Sequence, residues 1–359
     1  MNETLVEATA SIEDPAARRR VEALLAHDLP AFAGALDRLA EAVGADGPAL
    51  RPERSAQLRR LLDEAVSRAE AATSGLDEQI AQRLRSGFRA LRPQHYYASQ
   101  IIHQGLVKPR GYPGDFEMMN HVYDQRPCSS TPLGRCWDQA FLDAPYAEAV
   151  RGRKDRMVEL LLRAVDGAAG PSLRVLNLPC GPARDVQELV QHPALRRDLP
   201  LELVCVDQDE EALAYARRAV GQPPPGVRVD LRQGNILSFV RRPGPHAAAL
   251  GSFDLVYSIG LADYLPDRLL TKMIRFSWDL LRPGGQTTYA FKIHDRDPVA
   301  PLPPKWICDW QFVPRSLEDA RRLMAAVAGD QPLAVDWERS GRIAFLTATR
   351  PGAGASPVV

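Results

Sequence analysis

The run RVLNLPCGPARD, residues 174–185, decides how this chain is read. Its first half, Arg174 to Leu178, is short, apolar and partly β-branched, the pattern of a buried strand. It turns through Pro179, Cys180, Gly181 and Pro182 into a helical pattern around Val186–Val190. A strand that feeds a glycine-bearing turn and then a helix opens an α/β unit. On open α/β sheets, ligands bind outside the carboxyl ends of the strands. Gly181 has no side chain, so a ligand can approach the backbone there. A dinucleotide fingerprint needs G-x-G-x-x-G, because several glycines bring the backbone to a pyrophosphate. A turn with one central glycine suits a nucleoside without phosphates.

Downstream, Leu203–Val206, Val227–Leu231, Leu255–Tyr257, Thr287–Phe291 and Ile343–Thr347 read as further strands. Helical spacing intervenes around Glu210–Val220 and Arg268–Leu281. This alternation predicts an α/β domain over residues 151–350, a mostly parallel sheet with helices on both faces. Asp207, beside Gln208, closes the second strand, where a carboxylate accepts hydrogen bonds from both ribose hydroxyls. Asp209 competes for that role, and a helix-capping Asp is the alternative reading. After the third strand comes Gln233-Gly234-Asn235-Ile236-Leu237; the Asn235 amide suits an adenine edge, and Ile236 or Leu237 its face. Tyr257 to Tyr264, with Ser258 and Gly260, follows the fourth strand, and Leu281-Arg282-Pro283-Gly284-Gly285 delivers the fifth. Each element alone is weak, but their order points to one nucleoside cofactor.

Upstream, residues 1–92 read as an all-helical module. Asp14-Pro15 starts one helix, with Val21, Leu24 and Leu25 at helical spacing. Pro30 opens a second, carrying Phe32, Leu36, Leu39 and Val43, and Leu58, Leu61, Leu62 and Val66 mark a third. A fourth runs from Leu76 to Leu91, stopped by Pro93. Residues 93–150 are rich in aromatics, Gly and Pro and contain KPRGYPGD at 108–115. They read as an ordered connector that covers the site or packs its aromatics into a domain interface. Pro298–Pro304 reads as a rigid loop, and 351–359 as a disordered tail.

Across 359 residues, Lys plus Arg and Asp plus Glu number 45 each, so no basic excess points to nucleic acid and a small-molecule substrate is expected. The five cysteines, at 128, 136, 180, 205 and 308, form no C-x-x-C pair. That predicts free thiols in a reducing compartment and no zinc or other metal site. The first ten residues lack the pattern of a secretory signal, and no apolar run reaches the ~20 residues of a membrane span. A cytoplasmic protein without a membrane span follows. Nothing in the sequence fixes its oligomeric state.

Residues 174–290 resemble the class I S-adenosylmethionine-dependent methyltransferases. The resemblance implies a Rossmann-like methyltransferase domain and S-adenosylmethionine as cofactor. It places Asn177, Pro179, Cys180, Gly181, Asp207, Gln208, Asn235, Ile236, Ser258 and Gly260 around that cofactor. Asn177 and Pro179 stand where the usual loop has Asp and Gly, and Asn235 where it has Asp. Residues 108–119, 260–268 and Cys308-Asp309-Trp310 with Arg315 resemble the bacterial 3-hydroxypalmitate methyl ester synthase family. That likeness implies esterification of a fatty-acid carboxylate. A long acyl tunnel favours an apolar wall, whereas Phe291-Lys292-Ile293-His294-Asp295-Arg296-Asp297 is charged.

Methyl transfer is an in-line displacement that depends on positioning and exclusion of water. A carboxylate acceptor is ionised at neutral pH and needs no base. For other acceptors Asp263, Tyr264, His294 and Asp295 are candidates. His294 has the best intrinsic pKa for base work, with a surface histidine as the alternative. Arg110 is a candidate to grip a carboxylate and Tyr112 to face the sulfonium; a packed Pro/Gly turn is the other reading. Two further functions stay open. One is cyclisation of S-adenosylmethionine to azetidine-2-carboxylate and methylthioadenosine, for which Tyr112, Asp263, Tyr264, Trp306 and Trp310 supply aromatic and acidic groups. The other is a non-catalytic sensor that binds the cofactor without turnover.

Overall fold

A computed structural model describes residues 3–352. Most of the expected tail, 353–359, lies outside the described residues, and Pro351 and Gly352 have no regular structure. The chain divides into two compact units. One contains residues 1–148 and Pro298–Gln311, and the other Ala149–Asp297 and residues from Phe312 onward.

The second unit is the expected Rossmann-like domain. Its strands are β1 (Leu173–Asn177), β2 (Leu201–Asp207), β3 (Val227–Gln233), β4 (Phe253–Ser258), β5 (Leu281–Lys292), β6 (Leu333–Trp337) and β7 (Ile343–Thr349). They lie in the order β3-β2-β1-β4-β5-β7-β6. The first five are parallel; β7 runs antiparallel between β5 and β6. β6 escapes the sequence reading because it is a five-residue edge strand, mostly half-buried and without a continuous apolar run.

Strand order reverses between β1 and β4, the topological switch point at which such sheets bind ligands. Register brings Asn177 beside both Cys205 and Tyr257, so the carboxyl ends of β2, β1 and β4 are level there. One face of the sheet is covered by Met157 and Leu161 of helix Pro145–Asp166, with Val186 and Leu189 of Arg184–Gln191 and Leu213 of Glu210–Val220. The other is covered by Leu270, Met273 and Ile274 of Asp267–Asp279 and Leu323 and Met324 of Leu317–Ala328. Full burial of such side chains contributes about 1.5–3 kcal/mol each.

The first unit is helical. Asp14 accepts from the Ala16 and Ala17 amides at 2.9 and 3.2 Å and starts Pro15–Ala23. Pro30 does not open a separate helix. It sits in the first turn of Leu29–Ala45, which a π turn at Leu24–Asp28 joins to the preceding helix. Pro52–Thr73 and Glu78–Arg89 follow.

The stretch 93–150, expected as a loop-like connector, is mainly helical: Pro93–Tyr97, Gln100–Val107, Phe116–Asp124, Pro132–Leu142 and the start of Pro145–Asp166. Its prolines begin helices, where a missing N–H breaks no ladder bond, and Ser99, Asp115 and Thr131 supply N-caps. Pro298–Pro304 is likewise not all loop. Pro303 and Pro304 enter the first turn of Leu302–Cys308. Trp306 of that helix donates to Glu70 at 2.8 Å, Lys305 donates to it at 2.6 Å, and Phe88 packs edge-on against Trp306 at 5.3 Å. Among the described residues no helix is long and apolar enough to cross a membrane.

Candidate cofactor site

The turn after β1 is pinned from both neighbouring strands. Leu178 donates its amide to the Tyr257 carbonyl at 3.0 Å, and Cys180 to that of Val206 at 2.9 Å. The Leu178–Pro179 peptide is cis. Gly181 and Ala183 have φ of 52° and 49°. A Cβ at Gly181 would meet nothing within 4 Å, so the backbone there faces open space. That left-handed turn leads directly into helix Arg184–Gln191.

Asp207 ties this turn to the end of β2. Its Oδ2 accepts from the Gly181 amide at 2.7 Å and its Oδ1 from the Asp209 amide at 3.0 Å. The residue is 5% exposed, and burial pushes its carboxyl above the usual carboxylate range against those backbone bonds. Asp209, the competing candidate, caps the next helix by accepting from the Glu211 amide at 2.9 Å.

The third loop is built around Asn235. Its Oδ1 accepts from the Leu237 amide at 2.8 Å, capping helix Ile236–Arg241, and its Nδ2 donates to Gln208 Oε1 at 3.2 Å. Asn235 and Gln208 therefore meet as an exposed amide pair. Ile236 packs partly into the sheet core, whereas Leu237 is 42% exposed and offers the free apolar face.

Behind the turn lies a buried polar cluster. Asp185 Oδ2 accepts from the Tyr257 hydroxyl at 2.5 Å and from Asn177 Nδ2 at 3.3 Å. Burial pushes the Asp185 carboxyl up, opposed by the Tyr257 hydrogen bond. Asn177 Oδ1 and Ser258 Oγ are buried and have no partner within the protein. Cys180 is buried too, its thiol pushed up by Cys205 beside it and by desolvation.

A second group gathers at the ends of β4 and β5. A Cβ on Gly260 would stand 3.7 Å from the guanidinium of Arg153, itself buried. Asp263 Oδ1 accepts from the Lys292 amide at 2.9 Å, and its carbonyl accepts from Val313 at 2.8 Å. Lys292 Nζ, out of contact with solvent, lies 4.2 Å over the Phe312 ring. Burial pulls its pKa down to about 7, opposed by Asp263 and Asp297. Tyr264 is exposed, its ring 5.6 Å from Phe312. His294, half-buried in a short 3-10 turn, donates its amide to the Arg315 carbonyl at 2.9 Å. Arg315 clamps the whole segment, donating to the carbonyls of Ala262 and Leu265 at 2.5 Å and to Asp267 at 2.8 Å.

Arg110 and Tyr112 belong to the helical unit. Arg110 donates to Glu117 at 3.0 Å and stacks 4.5 Å over Phe116, so it grips a carboxylate of its own segment. Tyr112 is half-buried in the turn that precedes Phe116–Asp124. Trp306 and Trp310 are core residues of that unit, Trp310 lying edge-on to Tyr146 at 5.4 Å. Among the described residues no cluster of His, Cys, Asp and Glu is arranged to hold a metal. Sequence reasoning did not single out Asp185, Arg153 and Lys292, which the structure brings to these turns. The signal for Lys292 was the charged run 291–297 that follows an apolar strand, and for Asp185 an acid in the first helical turn after the loop.

Residues 175–285 match a family model described as "Methyltransferase domain", and residues 102–202 one described as "Putative methyltransferase". No curated protein matches the chain. Among solved structures, a possible exported protein from Bordetella parapertussis is 20% identical, with 95% of this chain and 100% of that one covered at a TM-score of 0.48. The S-adenosylmethionine-dependent methyltransferase SibL, in its apo form, is 16% identical, covering 91% and 98% at 0.42. The N-methyltransferase NodS from Bradyrhizobium japonicum, in complex with S-adenosyl-L-homocysteine, is 14% identical, covering 58% and 89% at 0.37. The residues that match the methyltransferase-domain model, 175–285, run from β1 into β5.

Proposed function

We propose that this protein is an S-adenosylmethionine-dependent methyltransferase whose acceptor is a small molecule bearing a carboxylate or a comparable polar group. One observation carries the cofactor assignment. Asp207, at the end of β2, fixes the Gly181 turn with one oxygen while the turn faces open space. The ribose hydroxyls donate to the remaining lone pairs of Asp207, as a carboxylate at this position of an α/β sheet permits. Leu237 offers an apolar face to adenine, and the Asn235 and Gln208 amides offer its edge a donor and acceptors. A single glycine and the absence of a pyrophosphate cradle suit this nucleoside.

When bound, S-adenosylmethionine supplies an electrophilic sulfonium methyl. An acceptor oxygen attacks that carbon in line, and the carbon–sulfur pair stays with sulfur as S-adenosylhomocysteine leaves. A carboxylate acceptor has a lone pair ready at neutral pH, so the protein orients it rather than deprotonating it. Arg153 beside Gly260 brings a cationic side chain toward the carboxyl ends of the central strands, which supports an acidic acceptor. All five cysteines are free, in keeping with a reducing, cytoplasmic compartment.

The test is incubation with S-adenosylmethionine and a panel of small carboxylates, including a hydroxy fatty acid, read by mass spectrometry. S-adenosylhomocysteine that forms only with an acceptor supports the proposal. Methylthioadenosine from the cofactor alone would replace it with cyclisation, and binding without any product across the panel would favour a sensor.

A further inference from the structure

Among the described residues of the sheet-bearing unit, two large hydrophobic side chains are exposed, Leu237 at 42% and Tyr264 at 38%. Leu237 lies on the adenine loop, whereas Tyr264 ends the 3-10 turn Ala262–Tyr264 that follows β4. A lone exposed aromatic is ordinary on a protein surface. This one is carried on a turn braced by buried charged residues. Asp263 accepts from the Lys292 amide at 2.9 Å and, through its carbonyl, from the Val313 amide at 2.8 Å. Arg315 donates to the carbonyls of Ala262 and Leu265, which flank the turn's exposed ring. The Val313 bond also fixes the neighbouring Phe312, whose ring centre lies 5.6 Å from that of Tyr264 at an angle of 42°. The aliphatic residues on either side, Leu261 and Leu265, pack against the core instead.

A cation belongs to the same group. Gly260 has no side chain, and a Cβ there would stand 3.7 Å from the Arg153 guanidinium. The charge of Arg153 acts on Lys292, whose Nζ lies 4.2 Å over the Phe312 ring. Arg153, Lys292, Phe312 and Tyr264 therefore follow one another around the ends of β4 and β5. The two acids that face Lys292 are turned to other donors, Asp263 to the Lys292 amide and Asp297 to Arg342 Nε at 2.7 Å.

We propose that the methyl acceptor is an aromatic acid, its ring stacked on Tyr264 beside Phe312 and its carboxylate facing Arg153. This rests on the methyltransferase reading above and narrows its acceptor class. Aromatic rings prefer offset-stacked or edge-on neighbours, and the tilted Tyr264–Phe312 pair offers a third ring both. A flexible aliphatic chain gains contact area there without the ring–ring attraction, and gives up more rotamer freedom to do so. A guanidinium meets a carboxylate with two parallel N–H donors, which sets the orientation of the ring as well as its charge.

The test is calorimetry on the protein saturated with S-adenosylhomocysteine, titrated with phenylacetate, cyclohexylacetate and phenylacetamide. The second keeps the acid without the flat ring, and the third keeps the ring without the charge. Phenylacetate is expected to bind about threefold to tenfold tighter than cyclohexylacetate, the scale of an aromatic pair. It should bind about tenfold tighter than phenylacetamide, the scale of a hydrogen bond to a charged group. Tyr264→Phe should keep the ring preference and Tyr264→Leu should abolish it. The charge is read in the natural protein, so no change at the buried Arg153 is needed. Cyclohexylacetate or phenylacetamide bound as tightly as phenylacetate would overturn the proposal. So would a ring preference that survives Tyr264→Leu, or a protein that holds S-adenosylhomocysteine and binds none of the three. Failure to hold S-adenosylhomocysteine would instead remove the cofactor reading, and this inference with it.

Discussion

Replacing Asp207 with alanine isolates the cofactor site from the fold. In the free protein the carboxylate receives the Gly181 amide at 2.7 Å and the Asp209 amide at 3.0 Å. Both amides lie in turns, where water can replace the lost acceptor. The buried charge is itself unfavourable, since burial pushes the carboxyl up, so removing it offsets part of what the two bonds contribute. Net destabilisation is expected to be about 1 kcal/mol. The bound state loses more. A hydrogen bond to a charged group is worth about 1.5–3 kcal/mol, and no other carboxylate replaces it, because Asp209 caps its own helix. At 1.36 kcal/mol per tenfold, loss of a single ribose bond weakens binding by roughly 10- to 150-fold. Titration calorimetry with S-adenosylhomocysteine gives the affinity, and thermal melting of the same samples gives the stability. Affinity within about twofold of the natural protein, with melting unchanged, would remove Asp207 from the site.

Gly181→Ala places a methyl group at φ 52°, so stability should fall by about 1 kcal/mol, while cofactor affinity falls further because the methyl enters open space above the turn. Denaturant unfolding beside calorimetry separates the two. The Lys292 ammonium is held at about 7, below its ordinary value of 10.5, so the unfolded chain binds an extra proton between those pH values and stability rises with pH across that window. Lys292→Met should flatten that rise when urea midpoints at pH 6.5 and 9.5 are compared, pH values on either side of the lowered pKa; an unchanged slope would reject the lowered Lys292 pKa. Arg315→Lys keeps the charge but loses the fork that reaches Ala262, Leu265 and Asp267, so the melting temperature should fall, and with it the rate at saturating cofactor. A wild-type melting curve would show that the 262–267 segment is held by other means.

The sheet was legible because β1, β2, β4, β7 and the second half of β5 read as apolar runs, and β3 as an alternation of apolar and polar residues. β6 did not, since a five-residue, mostly half-buried edge strand carrying Asp336 has no continuous apolar run. Residues 93–150 misled for a local reason: prolines and glycines punctuate loops, but the same prolines sit well in first helical turns. Asp207, Gly181 and Asn235 were candidates from spacing, and the structure places them at the carboxyl ends of β2, β1 and β3. Asp185, Arg153 and Lys292 were not, because a charged residue in sequence reads as surface until the fold buries it. Arg110 shows the opposite limit. Its candidacy rested on chemistry alone, and its guanidinium is engaged by Glu117 seven residues away.

The segment Pro298–Gln311 also bears on how this protein tolerates rearrangement. Because it belongs to the helical unit while its flanks belong to the sheet, the backbone passes between the two units three times, after Glu148, Asp297 and Gln311. A single hinge permits a unit to be excised, exchanged or duplicated as a cassette; three crossings do not. A chain ending at residue 148 would strip Glu70 of both Lys305 and Trp306 and uncover the ring of Phe88. Inheritance and engineering therefore cannot move the helical unit as one continuous stretch of chain.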